Sequence, residues 1–557
     1  MTISLGPFGR HRLPGARELM ADFVAGLQGA ISSVPGGMAT AVLAGVHPIQ
    51  GLYACFAGPI GGGLTARTRL MVVSTTAAVA LAAGSALRNV PQDRRPSAIA
   101  LLTLLVAATL LAAGLLRLGR YTRFVSHSVM IGFLTGISVN IVCGQVAGLT
   151  GSTATGHIAV QRALSVLIHP GRINPAALLT GLAAIAILAA VARTRLAAGG
   201  MLLAVVLPTL VVALTGTSSV SRVRSEGHIA PGIPSPALPD FSRLSYGMIT
   251  GALAVAAIIV VQGAGVSEVA ATDGVSPPGH NRDILAQGVG NLASCLWRGI
   301  PVGASLGETA INVRSGARTR LAAVASGIGM AVILAAFSQA VGLVALPTLS
   351  GVLVFYAVGS LQIGQIRTVW RTGPVSQVAI VATFAGTLLL PVAAAVGIGV
   401  ALSLLMQLDR GAVDLAVVEV IPLDDGRLAE VRPPTRLPSG KATILDVYGS
   451  LLYAGVRTLQ AKLPDPTGAE SAVLILRLRR RTALGATFIK VISDYAHVVS
   501  AGGGRIYLSG LDGEVISRLS SAGLLDTTVR AVEATPILGE STYKAYFDAE
   551  EWLKRSG

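Results

Sequence analysis

Gly299-Ile300-Pro301-Val302-Gly303-Ala304-Ser305-Leu306-Gly307-Glu308 sets a carboxylate inside a glycine-rich stretch with a proline, and the run continues to Asn312 between long apolar segments. A lipid-facing helix cannot readily hold such a sequence. Irregular backbone at membrane depth persists only where protein or a water-filled cavity satisfies its polar groups. Interrupted spans of this kind point to the binding site of a transporter. Glu308 has two chemical uses there: carrying a coupled proton, or contacting the solute. The plainer alternative is a protonated carboxyl bonded to neighbouring backbone, but an intramembrane carboxylate is functional by default. Asn291 and Asn312 read as locks on helix packing. Nothing else has the spacing of catalysis. His47, His127, His157, His169, His280 and His497 are scattered, and Cys55, Cys143 and Cys295 sit singly in or beside apolar runs. No enzyme, metal centre or disulfide framework is expected.

The elements that must hold this stretch follow from composition. The 557-residue chain is 52% hydrophobic and 13% charged, with a mean hydropathy of +0.68. A soluble domain of this size does not bury so much apolar surface, so most of the chain must use lipid as its solvent. A hydrocarbon core takes about 20 residues per helix. On that scale candidate spans fall near 22–43, 51–66, 71–88, 98–116, 126–149, 174–192 and 200–216. After a Pro/Ser-rich loop from Ser218 to Phe241 they resume near 247–267, 284–297, 303–313, 320–344, 346–364, 375–389 and 391–408. That makes about fourteen spans, in two halves, 22–216 and 247–408, and the third span of each half is short and interrupted. An odd number of spans per half forces opposite orientations, the inverted repeat of many secondary transporters.

The formal charge is +16, but the basic residues lie in short loops between apolar runs. The positive-inside rule accounts for that pattern better than phosphate binding does, so no nucleic-acid partner is expected. Residues 1–20 are polar and basic and lead into a full span rather than a cleavable signal, which places the N-terminus in the cytoplasm. Alternation then puts Arg67, Arg69, Arg193, Arg318 and Arg320 inside and leaves Arg88, Arg95, Arg162 and Arg298 outside. Both termini come out cytoplasmic. The transmembrane domain is expected over 21–410 and a small α/β domain over 411–557, where β-rich runs at 417–421, 442–447, 472–478 and 505–509 alternate with helical patterns at 486–499 and 513–522. Arg477, Arg479, Arg480 and Arg481 read as a solvated face or an anionic-lipid contact.

The motifs resemble those of the SulP family, the sulfate-permease group of anion transporters. Asp22-Phe23-Val24-Ala25-Gly26-Leu27 with Val34-Pro35-Gly36-Gly37-Met38-Ala39 resembles the family's first span, and Leu43-Ala44-Gly45-Val46-His47-Pro48 with Gly51-Leu52-Tyr53 its entry into the second. Asn291, Gly299 to Asn312 and Ser315-Gly316-Ala317-Arg318-Thr319 resemble the ninth-to-tenth-span region. The tail is similar to a STAS domain. The resemblance implies a fourteen-span helical membrane protein, a seven-plus-seven inverted repeat with core and gate domains. It also implies a homodimer in the plasma (inner) membrane, and a substrate held between facing half-helices in spans three and ten. Helix N-termini suit an anion, because free N–H groups and the dipole stabilise negative charge without a full cation. The corresponding positions are Ser74, Thr75, Thr76 and Gly303, Ala304, Ser305, with hydroxyls as added donors.

Three departures stand out. Gly36 follows the first-span proline where many members have glutamine. Gln262 stands where the eighth span commonly ends in a carboxylate. Glu308 occupies a position where the tenth span often carries arginine, and a glutamate there resembles the nucleobase–cation symporters. In the tail, Leu484-Gly485-Ala486-Thr487-Phe488 lacks the aspartate common at that helix entry, leaving Thr487 as a structural hydroxyl. The leading expectation is secondary active transport of a small anion of the sulfate, bicarbonate or dicarboxylate class. No cofactor is expected beyond a coupling cation, H+ or Na+, with Glu308 and Gln262 as coupling or substrate contacts. The rivals are proton-linked uptake of a neutral or weakly acidic solute such as a nucleobase, and a membrane sensor or scaffold signalling through the tail.

Overall fold

The computed structural model describes residues 15–120, 126–194, 199–225, 232–270, 280–413, 415–423, 428–451, 453–479, 481 and 484–556. Most of the N-terminal segment, part of the Pro/Ser-rich loop and Arg480 lie outside these. The chain divides into two compact units, 1–403 and 404–557.

The first unit contains α1 (Ala16–Leu43), α2 (Pro48–Thr65), β1 (Val73–Ser74), α3 (Ala77–Ala86), α4 (Arg95–Leu115), α5 (His127–Thr150), α6 (Ala159–Ile168), α7 (Pro175–Val191) and α8 (Gly200–Leu214). It continues with α9 (Tyr246–Ala270), α10 (His280–Leu296), β2 (Gly303–Ala304), α11 (Leu306–Arg314), α12 (Leu321–Leu343), α13 (Leu346–Gly359), α14 (Ile363–Trp370), α15 (Pro374–Leu389) and α16 (Val392–Val413), the last running past the boundary. Five helical stretches among the described residues are long and apolar enough to cross a membrane unaided, from Gln92–Leu115 to Leu346–Trp370. The shorter apolar helices complete a multi-pass bundle. One set packs α1 on α2 and α12, α10 on α2 and α4, and α9 on α3 and α4; the other packs α5 on α13 and α15 and α7 on α13 and α8. Glycine sets the α1–α2 crossing: a Cβ at Gly51 would overlap the Gly37 carbonyl oxygen, the close backbone approach that small residues permit between membrane helices.

Hydrogen bonds between helix ends define two faces of the bundle. On the first, buried Asp283 at the start of α10 accepts the N–H groups of Arg67 (2.9 Å) and Thr68 (3.0 Å) and the Thr68 hydroxyl (2.6 Å). Buried Asp22 in α1 does the same for Arg318 N–H (2.7 Å), Thr319 N–H (2.9 Å) and the Thr319 hydroxyl. The gripped turns are the same tetrapeptide, Ala66-Arg67-Thr68-Arg69 and Ala317-Arg318-Thr319-Arg320. On the second face, Gln50 donates to the carbonyls of Pro96 and Arg298, and Arg95 to those of Val90 and Gly45. Each aspartate holds the connection beside a half-helix. Asp283→Ala is therefore expected to lower stability by about 3 kcal/mol, since three bonds to a charged acceptor are lost. Thr68→Val, which removes one of them, costs about 1 kcal/mol. Unfolding of the purified protein, followed by intrinsic fluorescence, measures both.

The second unit is a six-stranded mixed sheet in the order β4 (Leu428–Val431), β3 (Ala416–Pro422), β5 (Ala442–Tyr448), β6 (Val473–Arg477), β7 (Arg505–Leu511), β8 (Val529–Glu533). The β5-to-β8 ladder is parallel, and β3 is antiparallel to both its neighbours. Alternation along the strands sorts the core. Leu445, Leu474 and Leu508 pack on one face with Phe488 of α18 (Ala486–Ala501) and Leu519 of α19 (Gly513–Ser521), beside Leu459 of α17 (Tyr453–Lys462). Ile444, Ile475 and Tyr507 pack on the other with Ala545 and Ala549 of α20 (Glu540–Ser556). The helix-entry reading is visible in α18, whose cap Gly485 makes no side-chain bond.

Among the described residues of the arginine run, Arg477 and Arg481 do not form a solvated face. Arg477 pairs with Asp446, with side chains only 17% and 9% exposed. Arg481 donates to the carbonyls of Gly449 and Val447, and one Arg479 nitrogen, Nη1, is buried without a partner. Arg477 ties β6, and Arg481 the segment after it, to the end of β5. Asp446→Ala strands the Arg477 charge and is expected to destabilise this unit by about 3 kcal/mol, measurable as a lowered unfolding midpoint of the tail in the full chain.

Candidate functional site

The site starts from two strands of two residues each. β1 and β2 pair antiparallel, Val73 opposite Ala304 and Ser74 opposite Gly303. Because α3 and α11 follow these strands directly, they leave the pair in opposite directions with their N-termini close together. The junction is pinned on every side. Ser305 N–H donates to the Val72 carbonyl (2.9 Å), and Val72 N–H to Thr309 Oγ1 (3.1 Å). Ala304 N–H donates to Gln287 Oε1 (2.8 Å), and Asn291 bonds both N–H and C=O of Val302. Asn312 donates to the Leu70 carbonyl (3.1 Å). Gly62 of α2 lets β1 approach: a Cβ there would come within 2.5 Å of Val73 Cβ.

Hydroxyl residues begin both half-helices, as helix N-termini favour. Thr76 Oγ1 accepts Val79 N–H (3.3 Å), and Ser305 Oγ accepts Glu308 N–H (3.3 Å). The first N–H groups of a helix have no partner within it. Thr76 and Ser305 each satisfy only the third, so the amides of Ala77, Ala78, Leu306 and Gly307 are left over. All four residues line one cavity of about 540 Å3, together with Thr75, Thr76, Ala304, Ser305 and Gln262. The rest of its wall is largely apolar, from α5, α13 and α16, and includes Phe133, Ile137, Val352 and Val396. Among the described residues no lysine, arginine or acidic side chain lines it.

The expected site residues divide between the wall and the layer behind it. Thr75, Thr76, Ala304, Ser305 and Gln262 reach the cavity, and the Thr76 hydroxyl donates to Gln262 Oε1 (3.2 Å). Ser74, Gly303 and Glu308 are not in the wall. Ser74 is fully buried, and its hydroxyl donates to Glu308 Oε1 (2.9 Å). Glu308 Oε2 is buried and has no hydrogen-bond partner. Sequence reading expected free N–H groups at the two helix ends but placed them at 74–76 and 303–305, just ahead of the residues that carry them, and it missed Gln287, which takes up the Ala304 N–H. The usable signal was Thr76 and Ser305, cap residues just ahead of short helices.

Residues 19–383 match the model of the family described as the sulfate permease family. The chain belongs to the sulfate permease family. As a member it is a transport protein, not an enzyme. It is 25% identical over 523 residues to the bicarbonate transporter BicA of Synechocystis, covering 90% of each chain. Among solved structures, SLC26A9 matches with a TM-score of 0.83 at 19% identity, covering 96% of this chain and 91% of that one. The transmembrane domain of a cyanobacterial BicA matches with a TM-score of 0.60 at 20% identity, over 70% of this chain and 98% of that one. The family match thus covers the helical bundle, and the likeness in fold to SLC26A9 takes in the α/β tail as well.

Proposed function

We propose that this protein is a secondary active carrier of a small anion of the sulfate, bicarbonate or dicarboxylate class, working by alternating access with protons coupled at Glu308. The observation that carries the reading is the set of four unpartnered amides, from Ala77, Ala78, Leu306 and Gly307, at two helix N-termini facing one cavity. Two dipole ends and four donors hold one or two negative charges without a permanent cation. A small anion also fits the company the chain keeps, a family named for sulfate and a relative named for bicarbonate.

The cavities fit an alternating barrier. The half-helix cavity runs along α5, α9 and α13 towards the first face, reaching Val129, Val266 and Gln362. A second cavity, of about 400 Å3, lies towards the other face. Within about one turn the wall passes from the first to the second: Thr40 to Leu43, Ala78 to Leu81, Val352 to Ser350, Ala395 to Val392. Sliding the α1–α4 and α9–α12 set against the other helices would close one mouth and open the other. The arginines of the gripped turns, Arg67, Arg69, Arg318 and Arg320, make the first face cytoplasmic by the positive-inside rule. Both termini would then lie inside, and the family resemblance supports a homodimer in the plasma membrane.

Glu308 places a carboxyl in the first turn of the second half-helix, bonded to Ser74 just ahead of the first. Its charge sits next to the anion site, so proton and anion occupancy are linked: a proton on Glu308 removes the repulsion an incoming anion would meet. The test is uptake into proteoliposomes of sulfate, bicarbonate, fumarate and uracil, with and without an inward proton gradient. Saturable flux of at least one of the three anions, raised by the gradient, supports the reading. Uptake of uracil alone, or silence across the panel, contradicts it.

A further inference from the structure

The second cavity has a charge that the transport site lacks. Arg88, Arg95 and Arg162 line it, with Ser85, Asn140 and Gln145, and no acidic side chain among the described residues does. Arg95 is fixed by two carbonyls, those of Val90 (3.1 Å) and Gly45 (3.2 Å). Gly45 has φ +72°, and a Cβ there would press on Arg95 Nη1 at 2.6 Å, so the turn after α1 is shaped to receive the guanidinium. Arg88, just past α3, and Arg162, on α6, form no ion pair with a carboxylate among the described residues. Both are exposed at the rim of the recess, and each lies within electrostatic reach of the other. Like charges at the rim of one recess without a counter-charge raise its positive potential, which an anion between them would lower. Guanidinium groups grip planar or tetrahedral oxyanions with paired N–H donors.

We propose that this cavity is a second anion site, one that binds a free oxyanion on the face opposite the half-helix cavity. The same chemistry would take a lipid phosphate. A free anion is favoured because the recess runs in between α1, α3, α5 and α16, with its wall a turn from the transport site. The charge of the recess is independent of which solute the protein carries, so the site stands or falls separately from the transport reading.

The test uses the full-length protein, purified in a neutral detergent free of anionic lipid, with Cys143→Ser and Ser85→Cys. Ser85 places a thiol in the recess, and Cys55 and Cys295 are buried. Rates are measured for a sulfonate-bearing and a quaternary-ammonium-bearing methanethiosulfonate and expressed against the same pair on a free thiol. The anionic reagent is expected to be favoured by about tenfold, from the local positive potential. Sulfate should slow it by about fivefold or more by occupying the recess. Arg88→Gln with Arg162→Gln should remove both effects. Arg88→Lys with Arg162→Lys should keep the charge preference and lose most of the sulfate protection, because the fork geometry is gone; this pair also controls for folding. No charge preference in the Ser85→Cys protein, or a preference that survives the glutamine pair, overturns the proposal. So does protection that appears only when phosphatidylglycerol is added, which would make the ligand a lipid. If the uptake panel fails while the charge preference and sulfate protection hold, the transport reading falls and this site remains.

Discussion

Replacing Ala77 by proline raises the KM for the transported anion by about tenfold or more, and Leu306→Pro does the same, since a hydrogen bond to a charged group contributes about 1.5–3 kcal/mol and each 1.4 kcal/mol is a factor of ten. Proline is the apt probe. It deletes one N–H, and at the first helical position that N–H has no helical partner to lose. The residue before proline must be extended. Thr76 (φ −132°, ψ 149°) and Ser305 (φ −93°, ψ 114°) already are. Both helices should therefore persist while each loses one of its two free donors. Ala77→Gly and Leu306→Ala keep the amide and should leave KM within about threefold, a margin that covers small changes in packing. Initial rates of uptake into proteoliposomes separate the two groups. Proline variants that match these controls would remove the backbone amides from the account.

Glu308→Gln is expected to abolish proton-driven accumulation while leaving exchange of anion for anion across the membrane. Glutamine keeps an oxygen to accept the Ser74 hydroxyl (2.9 Å in the native pair), so the junction of α3 and α11 is preserved. It cannot take up or release a proton. With one-to-one coupling, a gradient of one pH unit supports about tenfold accumulation, equivalent to 1.36 kcal/mol. The variant should show a ratio near one at every gradient. The readout is the steady-state ratio of internal to external anion, set beside counterflow at equal pH. Accumulation that survives in the glutamine variant would assign coupling elsewhere.

Much of the bundle was legible because, in lipid, a span is defined by composition. Runs such as 98–116 and 320–344 announce α4 and α12 within a few residues. The helices that escaped notice are those with no such signature. α6 and α14 are short and amphipathic, and α17 and α20 in the tail are polar helices buried only by what they pack on, α18 and β3 for the first and the sheet for the second. The strands β4 and β8 were hidden for a related reason: each is an edge strand with an exposed side, so its apolar content is low. At the site, the break at Gly299 to Asn312 was readable from its glycines and proline. Which way Ser74 points was not, because a hydroxyl two residues before a cap can face the cavity or Glu308 equally well. The aspartate grips escaped because Asp283 and Thr68 lie far apart in the chain, even though the repeated Ala-Arg-Thr-Arg stood in plain view. The arginine run in the tail misled for the opposite reason. Four arginines within five residues look solvated, and only the fold supplies Asp446 and the carbonyls of Gly449 and Val447.

The most direct test of the account is a structure determined with the transported anion bound. It should show the anion at ordinary hydrogen-bond distance, about 2.7–3.2 Å, from amides of both half-helices, among those of Ala77, Ala78, Leu306 and Gly307. An anion found away from both helix N-termini would contradict it.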